Sequence, residues 1–222
     1  MLRQNLLFAG KLQEIDNGRA ALPGSKKSGA SPKKIAGNMQ KNLMKNQGQG
    51  IIQPTYLAVL RQLFAELKES QVNWVVTGSL SFALQGLPLE PHDIDIQTDT
   101  EGAYEIERRF FSQVSRKVTF ASSERMRSHF GALLIDGISV EIMGDVQKRL
   151  EDGTWEAPVD LRSHRQVVPI EGIDIPVLSL AYEAQAYLKL GRLERAEMLR
   201  EAASCTTQDA QPKSSQNWRD RT

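Results

Sequence analysis

Trp74-Val75-Val76-Thr77-Gly78-Ser79, followed after thirteen residues by Asp93-Ile94-Asp95-Ile96, is the stretch whose reading decides the fold of this chain. An apolar run that ends in Gly-Ser predicts a short strand turning directly into a helix, with Ser79 as its cap and an end near Gln85. The second segment predicts another strand, over 93–97. In an extended strand, residues two apart share a face and lie roughly 6 to 7 Å apart. Asp93 and Asp95 therefore aim at one point, while Ile94 and Ile96 face the core. Two hard oxygen ligands held side by side suit Mg²⁺ bound jointly with phosphate oxygens. Gly78, with no Cβ, lets backbone approach a phosphate, and the helix start after it offers N–H donors. Pro88 and Pro91 hold the loop between the two segments.

Outward from this pair the punctuation is regular. Gln53-Pro54-Thr55 opens a helical pattern in which Leu57, Leu60, Leu63, Phe64 and Leu67 recur at helical spacing. Thr100 begins a helix expected to run to about Ser115, and 118–121 reads as a strand. Residues 130–135 and 138–143 read as a hairpin about Asp136-Gly137, a pair suited to the positive φ angles of a tight turn. Residues 167–170 and 173–177, joined by Glu171-Gly172, form a second hairpin. Ser179 caps a helix to Leu190, Gly191 breaks it, and 193–203 forms a last amphipathic helix. Strands outnumber crossover helices in the second half, so the expected class is α+β, a mixed β-sheet flanked by helices with a small helical end at about 178–203.

In the strand 138–143, Ile138, Val140 and Ile142 share one face, and Ser139, Glu141 and Met143 share the other. Glu141 is thus a third carboxylate for the same sheet face. Three clustered carboxylates repel one another unless a cation lies among them. Two divalent ions roughly 3.5 to 4 Å apart would resolve this and clamp the two oxygens of an in-line phosphoryl displacement. An Asp-x-Asp pair alone is a weak motif, and a lone Gly-Ser is most often an ordinary turn. Their short, fixed separation is what gives them weight.

Composition narrows the functions. The formal net charge of +1 hides an asymmetry. Residues 1–50 hold nine Lys and Arg against two acids, a charge of +7, so the rest of the chain is net −6. A basic face is the footprint of nucleic-acid binding, and outside the arm this chain has none, so nucleic acid is not the expected partner. The arm 1–50 is Gly-, Lys-, Ser- and Gln-rich and is expected to be disordered. Met39 and Met44 fall near its end, raising a later translation start, and 204–222 reads as a polar tail. A single cysteine, Cys205, excludes an internal disulfide and suits a cytoplasmic protein. No apolar run approaches the roughly 18 to 20 residues of a membrane span. Phosphate loops of the Gly-x-x-x-x-Gly-Lys-Ser/Thr kind, dinucleotide Gly-x-Gly-x-x-Gly, His-Glu-x-x-His and Gly-x-Ser-x-Gly motifs are absent.

Val75-Val76-Thr77-Gly78-Ser79, then Asp93-Ile94-Asp95-Ile96, then Val140-Glu141-Ile142 together resemble the signature of the nucleotidyltransferase superfamily typified by DNA polymerase β. Small bacterial members, the antibiotic nucleotidyltransferases and the minimal nucleotidyltransferases of toxin–antitoxin pairs, carry the closest pattern. The resemblance spans about Pro54 to Ala203. It implies a Mg²⁺-dependent enzyme, with two ions, that moves a nucleoside monophosphate from an NTP, with ATP the expected donor, to a hydroxyl of a small molecule or protein, releasing pyrophosphate. Gly78 and Ser79 would hold the triphosphate, and Asp93 and Asp95 both metals. Glu141 would take the third acidic place, as ligand or general base. Lys189 and Arg192 would reach the triphosphate, or else complement the C-terminal dipole of their helix. His129, with Arg125 and Arg127, is a further candidate for substrate contact, against the plainer reading of a structural histidine and a solvated loop. A different class of function is an antitoxin-like module that binds or nucleotidylates a small helical toxin, and a third is nucleotide and metal binding without turnover.

Overall fold

The computed structural model describes residues 52–209, so the arm 1–50 and the tail beyond 209 lie outside the described residues. The described part falls into two units, one ending at Leu178 and the other beginning at Ser179.

The first unit is a seven-stranded mixed sheet with helices, an α+β fold as expected. Its elements are α1 (Pro54–Leu67), β1 (Val75–Thr77), α2 (Gly78–Leu84), β2 (Ile94–Thr98), α3 (Thr100–Arg109), β3 (Val114–Ser122), β4 (Met126–Ile135), β5 (Ile138–Lys148), the short α4 (Leu161–His164), β6 (Arg165–Ile170) and β7 (Ile173–Leu178). The strand order is β3-β4-β5-β2-β1-β7-β6. β2 runs parallel to β5 and β1 parallel to β7, and the other neighbours are antiparallel.

One face of the sheet is the core. Val59, Leu60, Leu63 and Leu67 from α1 and Ala103 and Ile106 from α3 pack against Ile94, Ile96, Val140, Ile142, Leu133 and Val177. The helical spacing of α1 is therefore the spacing of its buried residues, and Pro54 begins it where a missing N–H costs nothing. Strand alternation decides the rest: β2 buries Ile94 and Ile96 and leaves Asp95 and Gln97 on the opposite face. The β4–β5 turn is tight, with Asp136 and Gly137 both at positive φ, and Gln62 Nε2 on α1 donates to Asp136 Oδ2 at 2.7 Å. Glu171 and Gly172 repeat that backbone solution between β6 and β7.

Some boundaries differ from the expected ones. Ser79 lies in the first turn of α2; the N-cap is Thr77, in extended backbone, and Gly78 at φ +68° makes the turn. The helix from Thr100 stops at Arg109, because Phe110 turns into the core and a short 3₁₀ turn over Phe111–Gln113 releases Val114 into β3. Its cap is Asp99, whose Oδ1 accepts from the N–H of Gly102 at 2.7 Å. β3, β4 and β5 are all longer than expected, since their ends pair with one another in a register that hydrophobicity alone does not reveal.

The second unit holds α5 (Leu180–Lys189) and α6 (Leu193–Asp209). Ser179 caps α5, its hydroxyl accepting from the N–H of Tyr182 at 3.3 Å, and Gly191 at φ +76° makes the break. α6 continues to Asp209, past the expected end at 203. Among the described residues, no helix is long and apolar enough to cross a membrane.

Candidate active site

Five of the predicted site residues meet at one place, on the sheet face opposite α1 and α3. β1 pairs with β2 so that Thr77 lies opposite Asp95, and β2 pairs with β5 so that Asp95 lies beside Glu141. Asp93 sits just before β2. Asp93, Asp95 and Glu141 each present a carboxylate oxygen within 4.8 Å of the others, and all three are half-buried. Hard, charged oxygen donors at this spacing are the set that a Mg²⁺ or Mn²⁺ ion takes.

Gly78 completes the arrangement from the β1 side. A Cβ built on it would run into Oδ2 of Asp95 and lie 3.1 Å from the carboxylate carbon. Combined with φ +68°, this makes glycine the residue that lets the strand end turn over the Asp95 carboxylate. Ser79 follows directly, half-buried.

The support beneath this cluster is less legible in the sequence. Tyr56 on α1 donates its buried hydroxyl to the carbonyl of Pro91 at 2.9 Å, fixing the loop two residues before Asp93. Burial, and after it the negative charges of Asp93 and Glu90, push the Tyr56 hydroxyl above its ordinary pKa, so it stays a donor. Thr98 at the far end of β2 donates to the carbonyl of Asn73 at 2.9 Å. Gln85 Nε2 donates to the carbonyl of Leu178 and to the Ser81 hydroxyl, both at 3.0 Å, tying α2 to β7. A Tyr and a distant Pro carry no joint sequence signal, because their contact exists only once α1 lies on the sheet.

The remaining candidates sort differently. His129 packs edge-on against Tyr104 of α3 and Phe120 of β3, and its Nδ1 lies 3.2 Å from the Tyr104 hydroxyl. It is opposite Gly144, itself against α3, and so faces away from the carboxylates. Arg127 donates to Gln147 Oε1 at 2.9 Å and stacks on Trp155, a structural use. The carbonyl of Arg125 accepts from the N–H of Arg149. Lys189 ends α5 and Arg192 stacks on Tyr187 with its guanidinium 5.6 Å from the ring centre, both within the second unit.

A sheet that brings Gly-Ser, Asp-x-Asp and a third carboxylate together in this register offers the donors that nucleotide phosphates and a divalent metal take. Comparison with known proteins gives the same class. The family model of the aminoglycoside-2''-adenylyltransferases matches residues 59–203. Among solved structures, TM1012 from Thermotoga maritima, assigned as a nucleotidyltransferase, is 65% identical over 70% of this chain and 96% of its own, with a TM-score of 0.64. The lincosamide antibiotic adenylyltransferase LnuA, solved with lincomycin bound, is 15% identical over 67% of this chain and 98% of its own, at a TM-score of 0.41. The antibiotic-resistance factor ANT(2'')-Ia is 11% identical over 70% of this chain and 93% of its own, at a TM-score of 0.46. No curated protein sequence matches. The chain belongs to the aminoglycoside-2''-adenylyltransferase family and is a nucleotidyltransferase enzyme.

Proposed function

We propose that this enzyme transfers a nucleoside monophosphate from an NTP, with ATP the expected donor, to a hydroxyl of a small-molecule acceptor and releases pyrophosphate, in a Mg²⁺-dependent reaction. The observation that carries the proposal is the cluster of Asp93, Asp95 and Glu141 beside Gly78. Asp93 and Asp95 would hold two Mg²⁺ ions, with Glu141 beside the one nearer the acceptor. Bound there, Mg²⁺ supplies charge neutralisation on the phosphates and a lowered pKa for the attacking hydroxyl.

The chain's own residues then do four things. The bare backbone of Gly78, with the N–H and hydroxyl of Ser79, receives oxygens of the triphosphate. Tyr56, through Pro91, keeps the Asp93 loop in place so that the carboxylates need no rearrangement as charge develops. Glu141 accepts the proton of the acceptor hydroxyl, directly or through water, as the new oxygen–phosphorus bond forms and the bond from the α-phosphorus to the bridging oxygen breaks. Pyrophosphate leaves with that bonding pair. Lys189 and Arg192 are proposed to neutralise charge on the triphosphate as pyrophosphate leaves.

Labelled ATP, GTP, CTP and UTP offered with Mg²⁺ to aminoglycosides, lincosamides, tRNA and total protein test this reading. The expected result is transfer to a small molecule by the natural protein, abolished by EDTA and by Asp95→Asn. Equal turnover in Asp95→Asn would end it. Labelling confined to a protein acceptor would replace the small molecule by a partner such as a small helical toxin.

A further inference from the structure

The arm 1–50 holds three hydroxyl side chains, Ser25, Ser28 and Ser31, and all three lie in one run, Ser25-Lys26-Lys27-Ser28-Gly29-Ala30-Ser31-Pro32-Lys33-Lys34. From Ser25 to Lys45 there are six lysines and no acid. Each serine is thus a hydroxyl set beside ammonium groups. None of the residues assigned to the transfer reaction lies in the arm.

The arm joins the described residues at the start of α1, and that end of the helix is fastened to the site. The N–H of Tyr56 donates to the carbonyl of Gln53 at 3.0 Å, and its hydroxyl donates to the carbonyl of Pro91 at 2.9 Å. Pro91 is two residues before Asp93. After burial, it is the charges of Asp93 and Glu90 that raise the pKa of the Tyr56 hydroxyl, so two acids lie close to the point where the arm begins. From Gln53, through the Tyr56 ring and the two residues of chain after Pro91, the path to the Asp93 carboxylate is on the order of 15–20 Å.

The length of the arm suits that span. Ser31 and Ser25 lie 22 and 28 residues before Gln53. A Gly-rich chain of such length has an r.m.s. reach of about 25–30 Å. A tethered group whose reach is close to the span stands at an effective concentration on the order of millimolar. Charge favours the same encounter. The arm carries +7 against −6 for the rest of the chain, and the site gathers three carboxylates within 4.8 Å of one another. These carboxylates and a bound triphosphate both draw cations, and lysine is a cation on a long, flexible stem.

We propose that this enzyme also nucleotidylates its own arm, with one of Ser25, Ser28 and Ser31 as an intramolecular acceptor brought to Asp93, Asp95 and Glu141 by the lysines beside it. This rests on the proposed function, which supplies the donor and the leaving group. The serine Oγ bonds to the α-phosphorus as the bond from that phosphorus to the bridging oxygen breaks. Pyrophosphate leaves with the bonding pair, and the hydroxyl proton passes to Glu141. The product is a serine phosphodiester, whose negative charge beside the lysines weakens the hold of the site on the arm.

The full chain with Mg²⁺ and α-labelled ATP, and no other acceptor, would be followed by intact mass and peptide mapping. The expected result is AMP on Ser25, Ser28 or Ser31, at a rate per molecule that does not change when the protein is diluted about tenfold. Ser25→Ala, Ser28→Ala and Ser31→Ala together should abolish the label and leave binding of a non-hydrolysable ATP analogue unchanged. Lys26→Gln, Lys27→Gln, Lys33→Gln and Lys34→Gln together should slow labelling about 10-fold at low salt, and less at high salt. A second readout needs neither metal nor turnover. Carbodiimide treatment of the metal-free chain, which joins a lysine amine to a carboxylate in contact with it, should link these lysines to Glu90, Asp93, Asp95 or Glu141 of the same chain. Label absent from the three serines, label that persists in the triple variant, a rate per molecule that falls on dilution, or cross-links confined to other carboxylates would overturn the proposal. Transfer to a small molecule without label on the arm would leave the proposed function standing, since that reading fails separately, through the turnover of Asp95→Asn.

Discussion

Replacing Gly78 by alanine imposes two costs whose separation tests how this site is built. The first is conformational: Gly78 sits at φ +68°. A left-handed backbone costs an L-residue about 1–2 kcal/mol. In a chain of this size, that lowers the melting temperature by about 2–8 °C. The second is steric, because the new methyl group would occupy the space of the Asp95 carboxylate. Relieving that overlap needs a displacement on the order of 1 Å in a group proposed to orient metal and substrate, a shift that costs roughly 100-fold in rate. Gly86→Ala is the control. Gly86 also has positive φ, +94°, yet a Cβ there meets nothing within 4 Å. By thermal melting, Gly86→Ala should lose only the conformational part of the stability and Gly78→Ala at least that much, while pyrophosphate release should fall about 100-fold only in Gly78→Ala. Equal activity in the two would refute the claim that Gly78 exists to make room for Asp95.

Two further outcomes follow from the same structure. Lys148 Nζ and Glu156 Oε1 pair at 2.8 Å, with side chains only 6% and 14% exposed. Lys148→Met, which takes that cation from a largely covered carboxylate, should cost about 3 kcal/mol by chemical denaturation. Lys148→Met combined with Glu156→Leu should recover most of the loss. The hydrogen bond from Arg108, with that of Arg109, holds the Glu105 carboxyl at about 2, so a carbon-detected titration should find its midpoint there and Arg108→Ala should raise it. Because the folded value is depressed, the pair's contribution to stability is fully present above the unfolded value of about 4.3 and is lost as pH falls through the folded midpoint.

What the sequence makes legible is what local chemistry controls. Alternation in β2 and β5 puts Asp95 and Glu141 on one face, and the parallel pairing then sets them side by side. Asp136-Gly137 and Glu171-Gly172 are readable because two-residue turns need positive φ at both residues. Ser79 reads as a cap, yet Gly78 itself makes the turn, a role that depends on the nearness of Asp95 rather than on its neighbours in the chain. The helix from Thr100 reads too long because the pairing of β3 with β4 claims Val114 and Ser115, and helical propensity cannot anticipate a partner strand. The side that Arg116 takes escapes notice for a related reason. Strand alternation places Arg116 with the core residues Val114 and Val118, and only the register shifts against β4 move it to the opposite face of the sheet. The Lys148–Glu156 pair, like Tyr56 with Pro91, joins groups that meet only in the folded chain.

Asp93, Asp95 and Glu141 are proposed to form a divalent-metal site that serves nucleotide transfer. Its most direct test is a Mn²⁺ titration followed by electron paramagnetic resonance, with ATP present, on the natural protein and on Asp93→Asn, Asp95→Asn and Glu141→Gln. Saturable Mn²⁺ binding is expected in the natural protein, with a loss of about 10- to 100-fold in affinity in each variant and loss of transfer as well in Asp95→Asn. Mn²⁺ affinity unchanged in all three variants would contradict it.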